Sequence, residues 1–136
     1  MKFRFFIVFT LALAMITLGT SCSRPSKNFI IGKWKLTSCL YRDDPTSEWE
    51  DGLDGLDGDE FYEFRDDNTG TCYSYYDDGD EDEDVFSWSY DKDNNTITFD
   101  SGETYTIQDY SSNEMTLHYR EPDRLFEQLI TLKKIR

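Results

Sequence analysis

The stretch FIIGKWKLTSCLY, Phe29 to Tyr41, decides the fold. After Gly32 it alternates: Trp34 and Leu36 face one way, Lys33, Lys35 and Thr37 the other. Residues two apart share a face only in extended chain, so this segment predicts a strand with one buried and one wetted side. The same period recurs downstream. Tyr62 and Phe64 alternate in EFYEFR, and Phe86, Trp88 and Tyr90 do so in VFSWSY. Ile97 and Phe99, Tyr105 and Ile107, Met115, Leu117 and Tyr119, then Ile130 and Leu132 continue the pattern. Between these runs stand DDNTG (66–70), DKDNN (91–95), DSG (100–102) and REPDR (120–124). Their Asp, Asn and Gly favour turns, and Pro122 suits no central strand. About eight short strands on short connections predict an all-β, eight-stranded antiparallel up-and-down barrel, since closure removes exposed edges.

Two acidic stretches interrupt the rhythm and read as loops: Tyr41 to Glu60 and Asp77 to Asp84. Adjacent like charges repel, and no core holds them. In the first, Asp-Gly recurs at three-residue spacing, so Asp54, Asp57 and Asp59 could offer oxygens to calcium. They lack the order of a twelve-residue calcium loop, and a solvated loop is the default. No metal centre is expected.

The N-terminus has the layout of an export signal. Lys2 and Arg4 precede an apolar run from Phe5 to Leu18, short for a membrane span, and small residues follow. Leu18-Gly19-Thr20-Ser21-Cys22 resembles the lipobox of bacterial lipoproteins. That resemblance implies a signal peptide over residues 1–21, acylation of Cys22, a polar tether over 22–29 and a domain over 30–136. It also implies a lipid-anchored protein of the cell envelope. The SRPSK that follows Cys22 carries no acidic cluster, which suggests the outer membrane, facing the periplasm.

Gly32-Lys33-Trp34 resembles the G-x-W signature of lipocalins. The FYEFRDDNTGT, FSWSYDKDNNTITF and ETYTIQDYSSNEMTLHY hairpins are similar to the lipocalin-like domains of small bacterial lipoproteins. The resemblance implies a calycin-type barrel with Trp34 packed across its closed end. It also implies a small apolar or amphipathic ligand. The candidate ligand-contacting residues are Trp34, Tyr62, Phe64, Trp88, Tyr90, Tyr105 and Tyr119. Eight strands enclose a space that is either filled by its own side chains or wide enough for one small ligand. A filled barrel would instead be a structural protein meeting an envelope partner, and both readings stand at this point.

Charge and motifs narrow the remaining classes. With 28 acidic against 14 basic residues, the net charge is -14. Phosphate backbones need clustered Lys and Arg, so nucleic acid is not expected as a partner. The single histidine, His118, alternates with Leu117 and Tyr119 and should face outward, as should Glu63 and Glu103. No nucleophile-elbow serine or phosphate-cradling glycine loop is present, so neither an enzyme nor a cofactor is expected. Cys39 and Cys72 would form a disulfide in an oxidising compartment or remain two separate buried thiols.

Overall fold

The computed structural model describes residues 24–54, 57–123 and 125–136. The alternating segments form β1 (Gly32–Arg42), a two-residue β2 (Glu50–Asp51), β3 (Gly58–Phe64), β4 (Thr69–Tyr76) and β5 (Glu81–Asp91). The chain continues through β6 (Thr96–Phe99), β7 (Thr104–Tyr110), β8 (Glu114–Arg120) and β9 (Glu127–Lys134). From β3 onward each strand pairs antiparallel with the next. β1 pairs with β3 through Gly32–Lys35 and with β9 from Trp34 to Arg42. This double pairing closes an eight-stranded up-and-down barrel, and β2 adds a short rung beside Leu40 and Tyr41. Register shifts near Thr37 and Gln108 bend β1 and β7, as bulges do where a sheet must curve.

The expected inward face is the face that is buried. Trp34, Phe64, Trp88, Ile97, Tyr105, Ile107 and Leu117 form the core with Ile30, Met115 and Leu132. Leu36, Tyr62, Phe86, Tyr90, Phe99 and Tyr119 pack against it. Gly70 shows how tightly: it faces Phe86 across β4 and β5, and a Cβ there would overlap the Phe86 ring.

One end is sealed. A helical turn, α1 (Lys27–Ile30), precedes β1 and drops Ile30 into the core. The Trp34 indole N–H donates to the Ile30 carbonyl at 2.8 Å, and the Phe29 ring meets the indole edge-on at 5.4 Å. Lys134 Nζ donates to the Phe29 carbonyl at 2.7 Å and lies over both rings. Residues 24–29, expected as part of a free polar tether, are therefore folded onto the barrel. Pro25 is buried, and Arg24 donates to the Lys92 and Asp93 carbonyls. The reason is the apolar Phe29-Ile30 pair, which finds a hydrophobic floor next to Trp34. The signal segment and Cys22 lie outside the described residues.

The opposite rim departs from the expected loops. Within 41–60, β1 runs on to Arg42, β2 forms at Glu50–Asp51, and β3 starts at Gly58. Within 77–84 only the first four residues turn: β5 starts at Glu81, and Glu81 to Asp84 pair with Tyr75 to Cys72. A barrel rim reconciles charge with strand. The ladder satisfies the backbone while the carboxylates extend into water, where repulsion is screened.

A candidate binding site at the open end

Toward this rim the barrel is hollow. A cavity of about 190 Å³ opens between the strands, lined by Tyr62, Phe64, Phe86, Phe99, Tyr105, Leu117, Ile130 and Leu132. Asp100, Ser101 and Glu103, from the β6–β7 turn, stand at its mouth. The aromatic side chains are packed edge to face: Phe64 on Phe86 at 5.6 Å, Phe86 on Phe99 at 5.4 Å, and Phe99 on Tyr105 at 5.5 Å. Each ring braces the next, so the wall holds its shape without a ligand. An apolar cavity of about 150 Å³ holds benzene, so this one suits one or two rings rather than a long acyl chain.

The polar groups come in two sets on opposite walls. On β3, Tyr62 donates its phenol O–H to Glu60 Oε1 at 2.5 Å, and the Cys72 thiol donates to the same oxygen at 3.2 Å. Beside β7, Tyr105 reaches Glu103 Oε2 at 3.4 Å and Gln128 Oε1 at 3.3 Å, and Gln128 Nε2 donates to Cys39 Sγ at 3.3 Å. β3 and β7 are four strands apart in an eight-strand ring, so the two sets face each other. Burial first, then the neighbouring Glu60 charge, pushes the Tyr62 phenol far above its ordinary range; burial and Glu103 do the same to Tyr105. Burial and Glu60 push the Cys72 thiol up to about 12. These groups are protonated donors at neutral pH, and none is a poised nucleophile.

The seven residues expected to meet a ligand divide by height along the barrel. Tyr62, Phe64 and Tyr105 line the cavity, and Tyr119 packs behind Tyr105 at 5.2 Å. Trp34, Trp88 and Tyr90 belong to the sealed half. The Trp88 indole donates to the Thr69 carbonyl at 2.9 Å, and Tyr90 donates to the Pro25 carbonyl at 2.7 Å. Period two assigns a face but not a depth, which is why the sequence grouped them.

Glu103 corrects another expectation. It stands two residues before inward Tyr105 and so lines the cavity, whereas Glu63 faces out and pairs with Arg65 at 2.9 Å. Glu60 was missed, although its spacing from Tyr62 carried the same signal. The disulfide considered between Cys39 and Cys72 is not formed. Both thiols are free, on β1 and β4 with β3 between them, and each has its own partner. Asp54, Asp57 and Asp59 do not converge, and Asp59 instead pairs with Lys35 at 3.4 Å. His118 does face out of the barrel, but its Nε2 lies 3.3 Å from Glu127, a buried carboxylate that also accepts from Arg42 at 3.0 Å.

Comparison with known proteins agrees with this architecture. The model of a family described as a lipocalin-like domain matches residues 30–119. A lipocalin-like protein from Bacteroides uniformis superposes with a TM-score of 0.54 and 17% identity, over 79% of this chain and 99% of its own. An uncharacterized protein from Bacteroides eggerthii gives 0.50 and 16%, over 76% and 98%. At these identities the likeness concerns the fold alone. No curated protein matches the chain.

Proposed function

The chain belongs to the lipocalin-like domain family, and from that premise we propose that it is a binding protein that holds one small apolar or amphipathic molecule in its open end. The observation that carries this reading is the cavity: rigid aromatic walls with a few hydrogen-bonding groups at the mouth, the general character of a small-molecule site. The sealed half is filled by its own side chains, so the binding volume is confined to the mouth half. Binding rather than catalysis fits the protonated thiol and phenols beside it. We place the protein in the cell envelope, anchored through acylated Cys22, on the strength of the lipobox-like LGTSC.

Both parts are open to direct test. Titration calorimetry with ethylbenzene and indole should give saturable binding of one molecule per chain. Phe99→Trp should abolish it by filling the cavity while the fold survives. Saturable binding that persists in Phe99→Trp would move the site elsewhere. Intact-mass measurement of the membrane fraction should find the chain beginning at Cys22 with acyl groups attached, and Cys22→Ala should release it to the soluble fraction.

A further inference from the structure

We infer that the mouth selects small apolar molecules bearing a positive charge, such as arylalkyl ammonium ions, over carboxylates of the same shape. This rests on the reading that the cavity holds a ligand, and it adds the charge that ligand carries.

The argument is one of polarity. Among the described residues, the two charged side chains lining the cavity, Asp100 and Glu103 at the mouth, are both acidic, and a third acid, Glu60, accepts from the lining Tyr62. No described basic side chain lines the cavity: Arg120, the last residue of β8 at this rim, is exposed beside Glu127 in the ladder and outside the lining, and two other cations are engaged elsewhere. Arg42 lies against Glu127 and the Trp49 ring, and Lys35 pairs with Asp59. Each glutamate accepts a phenol O–H through one oxygen; among the described residues no hydrogen bond reaches Glu60 Oε2 or Glu103 Oε1. Two carboxylates on opposite walls thus keep an acceptor for an N–H donor. The aromatic wall adds ring faces, which attract cations and repel anions. A carboxylate entering the same space would face like charge, with only the Ser101 hydroxyl and phenols already in use as side-chain donors in the lining. The apolar volume fits one ring with a short side arm, which would bring an amine to the level of the glutamates.

The experiment compares three ligands with one apolar body: phenethylamine, ethylbenzene and 3-phenylpropanoate, titrated calorimetrically into the full chain in detergent at neutral pH and physiological salt. The amine should bind about tenfold tighter than the carboxylate, with ethylbenzene between them. Glu60→Gln and Glu103→Gln should each reduce that ratio at least threefold, with thermal melts confirming the fold. Asp66→Asn removes the same charge at the sealed end and should leave the ratio unchanged, which separates local selection from attraction by the net charge. Equal affinity for all three ligands, or an equal fall in Asp66→Asn, would overturn the inference and leave the cavity as a ligand site. Binding of none, ethylbenzene included, would overturn the inference together with the binding function itself.

Discussion

Gly70 and Phe86 face each other across β4 and β5, and the contact leaves no room for a methyl group. Gly70→Ala should cost about 1–3 kcal/mol in urea denaturation, the range for overpacking. Phe86→Leu in the same chain should recover part of it; additive losses would show that the Phe86 ring is not the obstacle. In sequence Gly70 reads as the end of a turn, but Asn68, with φ of 65°, takes the left-handed position and Gly70 is a strand residue. Composition marks a turn without saying which residue bends. Glu127 makes a second case. Burial raises its carboxyl pKa, but hydrogen bonds and charge from Arg42 and His118 outweigh burial and hold it below the ordinary 4.5. A carboxylate with a lowered folded pKa stabilises fully above its unfolded value, and that contribution disappears as pH falls through the folded one. Glu127→Gln should therefore lose about 1.5–3 kcal/mol at pH 7, the range for hydrogen bonds to charged groups. The gap from the parent should close in melts taken below pH 4. A gap constant down to pH 3 would mean that the carboxylate's charge plays no part.

At the level of elements, the walls of the barrel were legible because each of the eight barrel strands has one dry face, and alternation is the direct trace of that. Two things were not legible. Depth along the axis depends on strand tilt and register, so Trp34 in the sealed half and Tyr62 in the hollow half carry the same signal, although the two are directly paired across β1 and β3. Strand ends at the rim were hidden by charge, because a ladder that projects into water tolerates residues a core would reject. The β4–β5 hairpin is the extreme case, with Glu81, Asp82, Glu83 and Asp84 in succession on a paired strand. Its charges should make stability depend on salt. Raising ionic strength from about 0.05 to 0.5 M shortens the screening length severalfold and should raise Tm by a few degrees. Glu81→Thr with Glu83→Thr should raise Tm at low salt and flatten the salt response. An unchanged salt slope would place the repulsion outside this hairpin.

Over the whole molecule, the two ends of the barrel differ in kind, and the chain enters at only one of them. Arg24 is held against the β5–β6 turn at the sealed end, while the cavity opens at the other. An acyl group on Cys22, as proposed, would leave two residues of reach, under about 7 Å of extended chain, between membrane and barrel. The sealed end would then lie on the bilayer, and the acidic mouth would point away from anionic headgroups, which would otherwise repel it. That orientation lets a ligand arrive from the aqueous side and keeps lipid tails out of the cavity. It can be read by single fluorescent labels at Asn94→Cys, on the sealed-end turn, and Ser101→Cys, at the mouth, with Cys39→Ser and Cys72→Ser removing the native thiols. In vesicles containing headgroup quenchers the label at position 94 should be strongly quenched and that at 101 nearly untouched. Equal quenching would mean a barrel lying on its side, and stronger quenching at 101 would turn the mouth toward the bilayer and make membrane lipid its source of ligand.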